Sequence, residues 1–576
     1  MGILLCRERK ELSMSDFTKI EERKYDYWIF IIVLFALSLF MVCWFGPVSE
    51  YSGHDYYFNI RRFDVLIEAL KSYNYPIYID YNALEGYGYF TKGFYPDLII
   101  LPFATLAILI GTIPAYNVMI FTMTFLCGVF TYKAVNTVLK NIFAASISAI
   151  LYTFSAYHLF DWYNRAALGE SLSFTFLPIV FLGLYHIING DYHKWYILTV
   201  GYSLLIYTHL LSSVLTLLTL ALIVVLSYKP LLKEPKRIAY LLLAAFVTLP
   251  IVGSYIFPML EQMASNTFYY NVKENITGQT KLGLTDLGWG ALSGIVYPKT
   301  QNMAGVGPLL IILAILRLFI RKEITTSIKL ADFFVFIAII LLIIASGIFP
   351  WGRLPLGFIQ FPWRLYEFII FFLAIGGTYY LSVILRNRKQ YIIASVGIIT
   401  FTLTVFVVNN NNYKNWQELA KSDAPHWFTG VASVENEYYL GGLEYLPVKV
   451  PSYNFIHERG DSISVQKHET KILNFTRDRG VASMEVEVAS SDILELPLVY
   501  YKGYKASFNK DELSVGESDN GLVQVIVNKS GRVEVYYVPT TIQQVSWYIT
   551  LISSLIFIIY IYLSARAHNN RKLYDR

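Results

Sequence analysis

The sequence predicts an α-helical polytopic membrane protein, with about 12 to 14 transmembrane helices and an extracytoplasmic β-rich domain, on three observations. Of its 576 residues, 55% are hydrophobic and only 15% charged, with a mean hydropathy of +0.45, whereas a soluble domain carries roughly 25% charged residues. Thirteen apolar runs follow one another along the chain. Between about 409 and 544 the apolar period changes from 3.6 to 2.

Residues 1 to 27 carry six Lys or Arg and read as a cytoplasmic segment. This head is long, and the run after it lacks a small-residue cleavage site, so no cleaved signal peptide is expected. Trp28 to Pro47 holds no charge and matches the thickness of a bilayer core at 1.5 Å per helical residue. After an outer loop at 48–97, further runs lie near 98–113, 116–138, 141–157, 171–188, 193–208, 210–227, 238–257, 305–320, 331–349, 365–385 and 391–408. They complete a membrane body at 28–408, and a final run at 545–565 precedes a cytoplasmic tail at 566–576.

Basic loops set the orientation, because Lys and Arg near helix ends stay on the cytoplasmic side. Clusters at Lys229, Lys233, Lys236 and Arg237, at Arg317, Arg321, Lys322 and Lys329, and at Arg386, Arg388 and Lys389 place 158–170, 258–304, 350–364 and 409–544 outside. Lys133 and Lys140 then require an odd number of crossings between 98 and 138, where two apolar runs lie. Either one run is re-entrant or partly embedded, or these lysines break the rule. The net charge of +5 resides mostly in these loops, so no nucleic-acid partner is expected. Cys6, Cys43 and Cys127 lie in the head or in apolar runs and offer no disulfide framework.

In the polar region, "ASMEVEVAS" alternates Met484, Val486 and Val488 with Glu485 and Glu487. "GLVQVIVNKSGRVEVYYVP" gives two alternating runs around Ser530-Gly531, so a β-rich domain is expected at 409–544. In the first outer loop, "IRRFDVLIEALKSY" sets Ile60, Phe63, Ile67 and Leu70 on one stripe, as in a helix lying in the interface plane.

Polar residues recur at the outer level. "YSGHDYYFNIRRF" places His54 and Asp55 just beyond the first span. A carboxylate there is positioned to accept protons at the headgroup level, and the alternative is a solvated loop aspartate. "YNALEGYGYFTKGFYPD" sets Glu85 and Asp97 among Tyr87, Tyr89, Phe90 and Tyr95, which suits sugar rings or an interfacial aromatic belt. His158, Asp161, Arg165 and Glu170 crowd "YHLFDWYNRAALGES"; such groups are costly at membrane depth unless paired or facing a cavity. Asp161 and Arg165 are also spaced as a helix ion pair. His209 in "YTHLLSS" and Glu261 share the level, each equally readable as a packing or loop residue. Arg364 in "QFPWR" offers a planar charge to phosphate or snorkels beside Trp363. No phosphate-binding G-x-x-x-x-G-K-S/T loop, G-x-G-x-x-G or H-E-x-x-H is present; a divalent metal beside His54 and Asp55 stays a candidate cofactor, although the sequence shows no complete ligand set for it.

In their order, "SGHDYYFNIRRF", "EGYGYFTKGFYPD", "YHLFDWYNRAALGESLSFTFLPI", "YTHLLSS", "QFPWR" and "LGGLEYLP" resemble the bacterial YfhO-like membrane proteins, including those named as related to 6-pyruvoyl-tetrahydropterin synthase. That family is similar to the GT-C glycosyltransferases. The resemblance implies a plasma-membrane enzyme that takes sugar from a polyprenyl-phosphate donor on the outer face and passes it to a surface polymer or glycan. The expected partners are that donor, the acceptor, the bilayer and, as a candidate, the membrane enzyme that makes the donor. By carry-over Asp55 is the catalytic base and Arg364 holds the lipid phosphate, while His158, Asp161, Arg165 and Glu170 shape the cavity. The competing class is a lipid-linked sugar flippase, which makes no bond and would place polar groups through the membrane's middle.

Overall fold

A computed structural model describes residues 14–48, 55–272, 280–296, 303–321, 324–354, 356–422, 443–467 and 469–574. The principal helices are α1 (Met14–Phe45), α2 (Tyr56–Lys71), α3 (Leu101–Ile110), α4 (Thr112–Leu139), α5 (Ile142–Thr153), α6 (Leu168–Ile188), α7 (Tyr196–Ile206) and α8 (Leu210–Leu226). There follow α9 (Lys236–Ile251), α10 (Gly253–Ser265), α11 (Pro308–Ile315), α12 (Thr326–Ala345), α13 (Tyr366–Ile384), α14 (Arg388–Ser422) and α15 (Thr541–Tyr574). Each of the thirteen apolar runs overlaps one or more of these helices. Among the described residues eight helices are long and apolar enough to cross a membrane, and α9 with α10 forms a ninth candidate bent by 74°. Pro250 and Gly253 flank that bend, where proline removes a backbone donor.

The chain is therefore a multi-pass membrane protein. The ten residues of α3 rise about 15 Å, half of a bilayer core. With α3 too short to cross, α4 makes the single crossing, and Lys133 and Lys140 fall on the side of the amino terminus. The parity conflict in the loop count disappears.

Close packing in the bundle depends on small residues where backbones meet. A Cβ on Gly183 of α6 would lie 2.3 Å from the Leu198 nitrogen of α7, and one on Gly201 would lie 2.8 Å from that of Val180. Amphipathic α2 buries Phe63, Leu66 and Ile67 in the helical core. The membrane helices at the polar region's two ends run past the expected boundaries at 408 and 545, since α14 continues to Ser422 and α15 begins at Thr541.

Among its described residues the polar region holds nine strands: β1 (Ser464–Val465), β2 (Lys471–Asp478), β3 (Val481–Glu487), β4 (Asp492–Val499), β5 (Tyr504–Phe508), β6 (Asp511–Leu513), β7 (Val515–Glu517), β8 (Leu522–Val527) and β9 (Gly531–Tyr537). They form two antiparallel sheets, β1-β4-β8-β7 and β2-β3-β9-β5-β6. Their inner faces share one core: Leu494, Leu496, Val523 and Val525 belong to the first sheet, and Met484, Val486, Val533 and Val535 to the second. Met484 and Val486 point inward while Glu485 and Glu487 stay exposed, as period two requires. The runs on either side of Ser530-Gly531 enter different sheets, so the chain crosses from one layer to the other at that turn.

The same core takes in Tyr78, Ile79, Leu84, Tyr87, Tyr89 and Phe90 from the first loop, together with Tyr207 and Tyr255 from the helical bundle. The loop is thus wedged between the sandwich and the helices.

Candidate functional site

The segment after α5 is wound unusually. Ser155 caps a single turn over Ala156–Leu159 that passes directly into a π turn, Phe160–Asn164. Such wide turns occur often at functional sites. This one ends at Arg165, whose N–H donates to the Phe160 carbonyl, and the Ala167 N–H donates to that of Asp161. The winding folds Arg165 back onto Asp161, with Nη1 to Oδ1 at 2.7 Å.

Glu170 lies in the first turn of α6, where the helix dipole favours an anion. Its Oε2 accepts from Arg165 Nη1 at 2.9 Å and from Arg364 Nε at 3.2 Å, and its Oε1 accepts from the Tyr157 hydroxyl at 2.5 Å. Arg364, on the turn before α13, also donates to the Ile359 carbonyl and stands over the Phe361 ring at 5.0 Å. It is buried and ion-paired, not snorkelling. Burial opposes the charge on Arg165, but Glu170 and Asp161 outweigh it and hold the guanidinium protonated. His209 accepts from Ser212 and caps α8. Burial, then the charge on Arg364, pulls its pKa down to about 3.

Asp55 stands at the edge of this network. It is the N-cap of α2 but makes no side-chain capping bond, which leaves its half-buried carboxylate outside the helix's own hydrogen bonding. Its backbone N–H donates to the Arg165 carbonyl at 3.2 Å, and Asn59 Nδ2 donates to the carbonyls of both Asp55 and Ala166. The start of the first loop is thereby pinned to the π-turn segment. The chain Asp55, Arg165, Glu170, Arg364 brings together residues more than 300 positions apart in sequence.

Other expected site residues lie elsewhere. His158 is core: its two ring nitrogens face the carbonyls of Thr153 and Ser171, and it stacks on Phe174 at 4.2 Å. Tyr87 is no platform for sugar. It is fully buried, with Arg477 over its ring at 5.1 Å and its hydroxyl donating to the Gly460 carbonyl. Glu85 joins the loop to the sandwich side, accepting from the Tyr453 hydroxyl and lying 2.7 Å from His457 Nδ1. The Tyr453 bond foremost, then His457, holds its carboxyl below the ordinary value against burial. Glu261 accepts from Thr540 and pairs with Lys502 at 3.2 Å, linking α10 to the sandwich and α15. Asp97 pairs with Lys92 at 2.6 Å and lies 3.9 Å from Arg62. His54 falls outside the described residues.

Two residues of the network escaped the sequence reading. Tyr157 has no distinguishing signal among the many tyrosines. Glu367 does, being a carboxylate inside an apolar helix three residues after Arg364. Its Oε2 accepts from Ser173 at 2.7 Å and from Ser212 at 3.3 Å. Glu367 Oε1 and Asp161 Oδ2 are buried with no hydrogen-bond partner among the described residues. No group of three or more His, Cys, Asp or Glu is placed to hold a metal ion among the described residues.

The fold and the site describe a polytopic helical membrane protein that carries a β-sandwich domain and holds a charged, buried polar network among its helices. No family model matches the chain. An "Uncharacterized protein" of Lactococcus lactis subsp. cremoris (strain MG1363) is 23% identical over 347 residues, covering 57% of this chain and 55% of that protein. The chain therefore spans about half the length of that relative. Among solved structures, the arabinofuranosyltransferase AftD from Mycobacteria matches with a TM-score of 0.42 and 13% identity, over 67% of this chain and 27% of that one. A likeness of that depth decides neither fold nor activity.

Proposed function

We propose that the protein is a GT-C type glycosyltransferase that moves a sugar from a polyprenyl-phosphate donor to a surface polymer or glycan on the extracytoplasmic face. The observation that carries this reading is the junction of Asp55 with Arg165, and through Glu170 with Arg364. It fixes the backbone of Asp55, whose half-buried carboxylate is left out of helix capping, to the segment whose Arg165 shares Glu170 with Arg364.

The Asp55 carboxylate takes the proton of an acceptor hydroxyl as that oxygen bonds to the anomeric carbon. The bond from that carbon to the phosphate oxygen breaks, and its electron pair leaves on polyprenyl phosphate, whose charge Arg364 offsets. Proton acceptance contributes on the order of 10² to 10⁴ in rate, and charge stabilisation of the leaving group contributes comparably. One base and a direct displacement give inversion at the anomeric carbon. Asp161, Arg165 and Glu170 hold Arg364 and the π turn in register.

Membrane vesicles containing the full chain, given radiolabelled polyprenyl-phosphate sugar with native acceptors, test the reading. Label should pass into acceptor only when the protein is present. Movement of intact donor between leaflets with no label in acceptor would replace it with the flippase reading.

A further inference from the structure

A cavity of ≈ 400 Å³ lies apart from the Asp55 network, between the first loop, α7, α9, α10 and α15. That volume is within the range of small-molecule sites, roughly 300 to 1,000 Å³. Its wall is apolar, built from Leu204, Tyr207, Pro258, Leu551, Phe557 and Ile558 among others. Leu551 and Ile558 are exposed along α15, so the wall is continuous with the lipid-facing surface. At the loop side, Tyr75 packs edge-on to Trp547 at 5.9 Å, and Trp547 donates to the Tyr78 hydroxyl at 3.1 Å, closing the rim.

One end of the cavity is charged. Lys92 and Asp97 both line it, and Lys92 Nζ donates to Asp97 and to the Arg62 carbonyl. Arg61 is matched by Asp80 through two bonds of 2.7 and 2.6 Å. Lys92 and Arg62 therefore share the single carboxylate of Asp97 among the described residues in this corner, and Arg62 Nε is buried with no hydrogen-bond partner. An apolar cavity lined by lipid-facing residues of α15, with Lys92 on its loop side, is complementary to a hydrocarbon chain carrying an anion.

We infer that this cavity binds the hydrocarbon chain of a lipid phosphate, with the phosphate at Lys92 and the charge of Arg62 behind it. The ligand enters sideways from the bilayer past α15. Its chemistry is shared by a polyprenyl phosphate and by an anionic phospholipid. No reaction at Asp55 is needed for it to bind.

Native mass spectrometry of the purified full chain in detergent, titrated with polyprenyl phosphate, phosphatidylglycerol or neutral polyprenol, tests the assignment. Lipid phosphate should bind at least about tenfold more tightly than polyprenol, a readily resolved difference. Ser554→Trp, which fills the cavity from a half-buried position on α15, and Lys92→Gln should each weaken it by about tenfold or more. Preference for polyprenyl phosphate identifies the sugar carrier as the source, whereas equal binding of phosphatidylglycerol identifies the surrounding bilayer; either supports the site. Unchanged binding in folded Ser554→Trp, or polyprenol binding as tightly as the phosphate, overturns it. Asp55→Asn should bind lipid as the unaltered chain does, so loss of transfer in that variant bears on the reaction alone.

Discussion

The backbone N–H of Asp55 donates to the carbonyl of Arg165 at 3.2 Å, fixing the start of the first loop to the segment that carries Asp161, Arg165 and Glu170. The bond belongs to the backbone, so the carboxylate of Asp55 can be changed while the junction is kept.

Glu170 receives three donors in a buried setting. Breaking a buried ion pair from one side leaves a stranded charge and costs about 3 to 5 kcal/mol. Glu170→Gln should therefore destabilise the protein by that order, read as a lower midpoint of thermal unfolding in detergent. Removing Arg364 in the same chain should cost less than the two single changes added together, because the stranded guanidinium goes with it.

His209 stays neutral in the folded chain down to about pH 3, whereas an unfolded histidine takes up its proton near 6.5. A depressed folded pKa gives stability that is present above the unfolded value and lost as pH falls through the window from about 6.5 to about 3. Lowering the pH from 7 to 5.5 should cost on the order of 1 kcal/mol more in the unaltered protein than in His209→Asn. Thermal unfolding at the two pH values measures the difference, and parallel losses in both proteins would contradict the assignment.

Tyr87 lies in the core shared by loop and sandwich. Tyr87→Ala should destabilise by about 3 to 5 kcal/mol, as for other large aromatic truncations. Tyr87→Phe loses only the bond to Gly460, about 0.5 to 1.5 kcal/mol. The KM for donor sugar should stay unchanged in the phenylalanine variant, and a rise of tenfold or more would return this tyrosine to the binding site.

Met484 is buried between the two sheets. Met484→Ala should cost about 2 to 5 kcal/mol through lost transfer energy and a cavity. Limited proteolysis should then cut within 464–537 before the helical body is cleaved.

Local periodicity made the helices and the strand runs legible, because each rests on neighbours within a few residues. The brevity of α3 is not legible, since 98–113 reads as one apolar run and the helix occupies only ten residues within it, Leu101–Ile110. Sheet order was hidden for a similar reason: the strands beside Ser530-Gly531 look like a hairpin in sequence but choose partners in different layers. Intramembrane cost marks His158, Asp161, Arg165 and Glu170 as groups that need partners, and the last three pair with one another, whereas nothing in the sequence joins Arg364 to them. The same logic would have found Glu367. Glu85, Tyr87 and Glu261 were noticed for their chemistry, yet their partners Tyr453, Gly460 and Thr540 lie hundreds of residues away and only the folded chain joins them.

In the proposed reaction Asp55 takes the acceptor's proton while a nearby cation serves the leaving phosphate. Steady-state kinetics of Asp55→Asn in proteoliposomes, with donor supplied to the leaflet facing the sandwich domain, test it most directly. kcat should fall by about 10² to 10⁴ with donor affinity and unfolding midpoint unchanged. A kcat equal to that of the unaltered protein would contradict it.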